Sequence, residues 1–219
     1  MLEIVYRHTD FYIFNKPAGM SFHSETQAGF VVLAEQLCQE KLYSVHRLDK
    51  LTSGLLILAR SSEAAARFTE MFSQKLINKV YLALSDQKPK KKQGWIKGDM
   101  VKARRGAYKL MTSLENPAIT RFYSISVSPG LRGYLLKPFS GKTHQLRVAL
   151  KSISAPILGD ELYGGTKADR TYLHAMALWF DWHGTHIKVF LAPTFGEQYL
   201  TAQCQTVTAE WSQPWSLDW

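Results

Sequence analysis

His46-Arg47-Leu48-Asp49-Lys50-Leu51-Thr52-Ser53-Gly54-Leu55-Leu56-Ile57-Leu58-Ala59-Arg60 decides how the rest of this chain is read. One carboxylate, Asp49, stands beside two cations, Arg47 and Lys50, and a Thr-Ser-Gly turn follows. Leu55 to Ala59 is an apolar run of the length and composition of a buried strand. Positive charge close to a carboxyl group favours its anion. An ionised carboxylate at the lip of a buried strand suits a nucleophile or a general base. The same residues also fit a surface loop with incidental ion pairs, so the choice turns on the remaining sequence.

At 219 residues the chain is long enough to bury a sizeable core, as one large domain or two small lobes. No apolar segment approaches the length of a membrane span. The segment Met1-Leu2-Glu3-Ile4-Val5 lacks the basic region and apolar stretch of a secretory signal. Cys38 and Cys204 are too few for a disulfide framework or a cysteine-based zinc site, which makes a reducing cytoplasm the expected location. His183-x-x-His186 has the spacing of metal ligands, but no cysteine or acid cluster accompanies it, and Trp182-His183-Gly184-Thr185 reads as an exposed turn. No metal is expected.

The formal net charge is +9, and it is concentrated. Lys88 to Lys109 holds nine Lys or Arg residues against one acid, Asp99, whereas the rest of the chain holds 18 against 17. A dense basic arm on a nearly neutral body is what phosphate binding requires. Trp95, set among these cations, suits stacking on bases, or equally the packing of a hairpin on itself. The other reading of the arm is a solvated hairpin whose charge serves solubility alone.

Elsewhere the periodicities are plain. Ile4–Tyr6 and Phe11–Phe14 flank a polar turn and predict a hairpin. Phe30 to Leu42 predicts a helix with Phe30, Leu33, Leu37 and Cys38 on one face. Ser61 caps a second helix whose Ala64, Phe68, Met71 and Phe72 recur at helical spacing. Asn78–Leu84, Pro117–Tyr123 and Tyr134–Pro138 read as strands, the last two around a Ser128-Pro129-Gly130 turn. The segment Trp211–Trp219, with three tryptophans, is expected to pack on the body.

Several of these stretches carry a joint resemblance. His46-Arg47-Leu48-Asp49 with Thr52-Ser53-Gly54-Leu55-Leu56 resembles the active-site signature of the RluA-type pseudouridine synthases, which isomerise uridine in RNA. Asn15-Lys16-Pro17-Ala18-Gly19 with His23 resembles the family's first motif, a turn that braces the active-site loop. Lys79-Val80-Tyr81-Leu82-Ala83 resembles its Lys-x-Tyr-x-Ala strand, and Ser140 to Arg147 its Gly-Arg-Thr-His-Gln-Ile-Arg motif, with Lys142 and Leu146 as departures. Pro156 to Gly164 and Leu173-His174-Ala175 complete the match, which runs from about Val5 to Phe180.

The resemblance implies an α+β fold: one catalytic domain over 1–219, a mixed, mostly antiparallel sheet, a central cleft, and the basic arm 88–109 inserted. It also implies that the small S4 RNA-binding domain of some relatives is absent. Asp49 is implied as the catalytic carboxylate, Tyr81 as the ring that packs on the target base, and Arg147 as the cation that pairs with Asp49. Substrate contacts are implied for Arg47, beside the gap left by a flipped nucleotide, for Leu173 in the base pocket, and for Lys142, His144 and Gln145. In the basic arm, Lys90, Lys91, Lys92, Arg104 and Arg105 are expected to hold RNA. The expected partner is ribosomal or transfer RNA, with no cofactor, no membrane and a monomeric enzyme. Two alternatives remain: a non-catalytic RNA-binding protein of the same shape, and a carboxylate-dependent hydrolase. The hydrolase needs a second carboxylate near the first, and none stands near Asp49 in the sequence.

Overall fold

The computed structural model describes residues 2–24 and 28–219. Along the chain come β1 (Glu3–Arg7), β2 (Phe11–Lys16), α1 (Phe30–Cys38), β3 (Tyr43–Ser44), β4 (Ser53–Ala59), α2 (Ser62–Ser73), β5 (Asn78–Ser85), β6 (Gly94–Gly98), β7 (Met100–Lys102), β8 (Tyr108–Leu110), β9 (Ala118–Ser128), β10 (Leu131–Pro138), α3 (Gln145–Ser152), β11 (Leu173–Trp182), β12 (Thr185–Phe190) and α4 (Ala202–Glu210). The α+β expectation is borne out. The chain divides into two compact units, Met1–Asn78 with His174–Leu191, and Lys79–Leu173 with Ala192–Trp219.

The first unit is built around β4, whose seven residues are all buried. β2 pairs with it antiparallel, Phe11 opposite Ala59 through Lys16 opposite Gly54. β1 adds outside β2, closing the hairpin predicted at the start of the chain. β11 pairs with β4 in parallel through His174–Ser53 and Ala175–Gly54. Gly54 is required there: its φ is +109°, and a Cβ would lie 2.3 Å from the Ala175 carbonyl oxygen. β12 returns antiparallel on β11 through the predicted turn at His183 and Gly184.

α2 covers this sheet because its apolar positions recur on one side. Ala64, Phe68 and Met71 are buried, Phe72 packs beside them, and the Ser61 hydroxyl accepts from the Ala64 amide at 3.1 Å. Phe68 stacks on Trp182 with ring centroids 4.3 Å apart and meets Phe11 edge-on. α1 differs from expectation. It ends at Cys38, because Gln39 turns into the left-handed region at φ 55°. Phe30 and Ala34 are the buried pair, whereas Leu37 is 46% exposed. The small Ala34 sits one turn after Phe30 and forms the contact face in Leu37's stead.

The second unit has the antiparallel order β5-β10-β9-β6. Register fixes its two faces. Tyr81 lies opposite Leu136, which lies opposite Phe122, so these three share one face. Trp95 lies opposite Arg121, which lies opposite Lys137, and these share the other. The basic stretch is therefore not one arm. β6 joins the sheet edge, while β7 and β8 form a separate two-stranded hairpin with Arg104 and Arg105 at its turn. Trp219 packs against Tyr123, as expected for that segment.

Candidate active site

Asp49 sits half-buried in a turn whose backbone is fixed from below. The Asn-Lys-Pro turn at the end of β2 sends Lys16, wholly buried, under it. The Lys16 ammonium donates to the carbonyls of Pro17 at 2.9 Å, Lys50 at 3.3 Å and Thr52 at 2.9 Å. Its three protons thus meet three acceptors, the condition under which a buried ammonium is tolerable. The Gly19 amide donates to the Lys50 carbonyl at 2.8 Å and the Thr52 amide to that of Asp49 at 3.0 Å. Leu48 and Thr52 are buried on either side of Asp49, and Arg47 is exposed.

The exit of the turn is bolted to β11. The His174 Nε2 lies 3.0 Å from the Leu191 carbonyl and its Nδ1 lies 2.8 Å from the Ser53 hydroxyl. A carbonyl only accepts, so Nε2 carries the proton and Nδ1 accepts from Ser53.

In the second unit Tyr81 is 7% exposed in the middle of β5. Nearby on the strand, burial pushes the Lys79 ammonium below its usual range. Arg147, 4% exposed on α3, is gripped by a residue outside the predicted set. Its Nε and Nη2 donate to the two carboxylate oxygens of wholly buried Asp160 at 2.7 and 2.8 Å. Such a two-pronged bond fixes the plane of the guanidinium as well as its place. The ring of Tyr163 lies against it, 4.9 Å from the Arg147 Cζ.

Tyr163 does more than stack. Its hydroxyl accepts from the Tyr108 amide at 3.0 Å and lies 2.9 Å from the His144 Nδ1. Tyr108 starts β8, so the basic hairpin is rooted on the residue that flanks Arg147. His144 stands at the head of α3 with φ 58°, which aims its ring at Tyr163 and Tyr108.

Gln145 is 5% exposed and its amide is bonded inside the unit. Its oxygen accepts from the Ser140 hydroxyl at 2.8 Å and the Lys142 amide at 3.1 Å; its nitrogen donates to the Ile119 carbonyl at 3.0 Å and the Thr120 hydroxyl at 3.1 Å. That arrangement ties the Ser140–Lys142 loop to β9. The Lys142 ammonium donates to the Asn116 carbonyl at 2.5 Å. Leu173 is buried, its amide bonded to the Thr171 carbonyl at 3.0 Å. Lys90, Lys91, Lys92, Arg104 and Arg105 are all exposed.

The sequence reading missed Asp160 and Tyr163 as site residues. Both lie in the Gly-rich stretch Pro156–Gly164, and no spacing rule links that stretch to a helix ending at Ser152. The one available signal was an acid in an otherwise apolar run, Ile157-Leu158-Gly159-Asp160, which has to find a cation if buried. Among the described residues no group of three or more His, Cys, Asp or Glu is placed to hold a metal ion.

The geometry is a carboxylate on a rigid turn in one unit, and in the other a buried tyrosine and an oriented guanidinium beside a basic hairpin. Comparison with known proteins gives this a family. Residues 10–152 match the family model described as RNA pseudouridylate synthase. A Haemophilus influenzae protein described as an uncharacterized RNA pseudouridine synthase is 56% identical over 203 residues, 91% of each chain. A ribosomal large subunit pseudouridine synthase C of Rickettsia bellii is 33% identical over 78% of this chain and 61% of its own. The solved structure of human RNA pseudouridylate synthase domain containing 1 superposes with a TM-score of 0.75 at 26% identity, covering 95% of this chain and 94% of that one. The chain belongs to the RNA pseudouridylate synthase family, in its RluA-type branch. It is accordingly an isomerase of uridine in RNA.

Proposed function

We propose that Asp49 is the carboxylate that starts this isomerisation, in a structured ribosomal or transfer RNA. The observation that carries the assignment is the fixed turn: a buried ammonium and three carbonyls hold the backbone around one half-buried acid. A side chain held that way loses little entropy on meeting its target, which is where positioning contributes to rate. The bond from uracil N1 to ribose C1′ breaks, the base turns, and C5 bonds to C1′. The proton on C5 leaves and N1 gains one, so atoms balance without an oxidant or cofactor. Asp49 acts by attack on the sugar carbon or by removing a sugar proton.

Tyr81 supplies a stacking face for the base and a phenol for the C5 proton. Arg147, oriented by Asp160, supplies the cation of the same reaction. Arg47 is exposed beside Asp49 in the chain, where a planar guanidinium can stand in for a flipped nucleotide. Lys90, Lys91, Lys92, Arg104 and Arg105 bind phosphates. His144 and Gln145 act through structure, by holding the hairpin root and the Ser140–Lys142 loop. The enzyme works as a monomer in the cytoplasm, in keeping with two cysteines that are both free thiols.

The test is to map pseudouridine in ribosomal and transfer RNA from cells with and without this gene, and to measure tritium release from C5-labelled uridine RNA by the purified protein. Loss of one or a few pseudouridines is expected. Release of free uracil in place of pseudouridine would make the protein a hydrolase and end this reading.

A further inference from the structure

On the β6-β9-β10 sheet, the face turned away from Tyr81 carries an alternation of rings and cations drawn from four distant parts of the sequence. Lys97 lies 4.9 Å from the centre of the Trp95 ring, and Arg121 lies 5.1 Å from the same ring and 5.5 Å from that of Tyr123. Tyr123 meets Trp219 at 5.3 Å. Lys137 lies 5.5 Å from Trp219 and 5.1 Å from Phe139, and Phe139 meets Trp95 at 5.1 Å. The contacts close a ring of four aromatics and two cations, Arg121 and Lys137, with Lys97 attached to it at Trp95.

Strand alternation explains how they come together. Trp95, Arg121 and Lys137 are direct cross-strand partners, while Lys97, Tyr123 and Phe139 each stand two residues along from one of them. Helix α4 covers the other end of this face, where Val207 and Trp211 approach Gly133. The aromatic end is only partly closed: Trp95, Arg121, Tyr123 and Phe139 are all half-exposed and Lys97 is exposed.

Cations on an outer sheet face stabilise it most directly when carboxylates stand opposite them across the strands. Among the described residues neither Arg121 nor Lys97 has a carboxylate partner; the Arg121 Nη2 donates to the Tyr123 hydroxyl at 3.2 Å, while its Nε is a buried donor with no hydrogen-bond acceptor. The Lys90–Lys92 run leads into β6 at the sheet edge, where the Ser124 hydroxyl on β9 donates to the Lys92 carbonyl. Half-exposed rings set beside Lys97 and Arg121, two cations without a carboxylate partner, match the chemistry of single-stranded RNA, which offers base faces to the rings and phosphates to the cations.

We propose that this face is a second RNA-contact surface, on which unpaired nucleotides of the substrate stack against Trp95 and Phe139 while Lys97 and Arg121 take their phosphates. It rests on the reading that the enzyme binds RNA, and it goes beyond that reading by placing a contact on the side of the sheet opposite Tyr81 and α3. Its role is affinity. The long stems of Lys97 and Arg121 let the charge swing from ring to phosphate without moving a strand.

The test uses the whole protein and a mixed-sequence single-stranded RNA about ten nucleotides long, with binding followed by anisotropy across a salt series. Trp95→Leu should weaken binding about fivefold or more, the loss of roughly one stacked base, while Trp95→Phe should stay within about twofold of wild type. Lys97→Glu should flatten the salt dependence by about 0.7 per lost phosphate contact. On target RNA these variants should raise KM and leave kcat within about twofold. Lys97 is exposed, so its reversal decides the matter even if Trp95→Leu fails to fold. Wild-type tritium release together with variants of unchanged affinity and parallel salt slopes would overturn this face and leave the proposed function standing. A wild type that neither binds RNA nor releases tritium would overturn both.

Discussion

The turn that carries Asp49 and the helix that carries Arg147 are both rigid, but by opposite means. Asp49 is held through main chain: one buried ammonium reaches three carbonyls, and the amides of Gly19 and Thr52 close the turn. Arg147 is held through side chains, by the Asp160 carboxylate and the Tyr163 ring. Main-chain fixing acts on the backbone around Asp49. Side-chain fixing orients a group whose planar fork has to face in a set direction. The carboxylate is given a place, and the cation an orientation.

This contrast predicts a graded series of losses. Asp49→Asn keeps size and removes charge, and should lower pseudouridine formation by at least about a hundredfold while leaving folding intact. Activity within about tenfold of wild type, some 1.4 kcal/mol of barrier, would remove Asp49 from its role. Arg147→Met should cost nearly as much, and the double variant should be little worse than either single one, as for groups that act as a unit. Losses that multiply would show the two acting independently.

The two supports should fail differently. Asp160→Asn removes the buried charge that grips the Arg147 guanidinium and leaves an amide that cannot accept from both its Nε and Nη2, and should destabilise the fold by about 3–5 kcal/mol in urea unfolding. Lys16→Met leaves carbonyls short of a donor but no orphaned charge, and should cost only about 1–3 kcal/mol. A larger loss for Lys16 than for Asp160 would reverse the contrast drawn here. Neutralising Lys90, Lys91 and Lys92 should lower RNA affinity and its salt slope, with turnover at saturating RNA nearly unchanged.

The smallest effect lies outside both supports. Burial pushes the Glu40 carboxyl up, but the Tyr12 hydroxyl at 2.8 Å and the Arg60 guanidinium at 3.0 Å outweigh it and hold the group below its usual range. A depressed carboxyl contributes stability above its unfolded value and loses it as pH falls through the folded one. Between about pH 5 and 3, Glu40→Gln should therefore show a shallower decline in stability than wild type. Identical slopes would show that the Tyr12–Glu40–Arg60 cluster is not linked to folding.

Legibility in the sequence followed a different line. The Asn-Lys-Pro turn and the His-Arg-Leu-Asp signature stood out as contiguous strings, but the bracing relation between them came from the family resemblance, since the Lys16 bonds to Lys50 and Thr52 span 34 and 36 positions. The buried β4 and the face of α2 were equally plain, because a run of Leu55–Ala59 and an i, i+4 repeat are local patterns. Asp160 and Tyr163 were not readable as partners of Arg147, since that contact forms only when a Gly-rich loop folds back on α3. The basic segment misled for a related reason. Charge density is blind to register, so β6, which belongs to the sheet, was merged with the β7–β8 hairpin, which does not.

The parallel pairing of β4 with β11 also sets a schedule. Ser53 and His174 stand 121 positions apart in the chain, so the bolt at the exit of the Asp49 turn closes only after that many further residues have been made. At roughly 5–20 residues per second, translation leaves the Asp49 turn without its last fastening for some six to twenty-four seconds. During that interval the Lys90–Lys92 run and the residues of the basic hairpin are already made, so the basic stretch exists before the turn that holds Asp49 can be bolted shut.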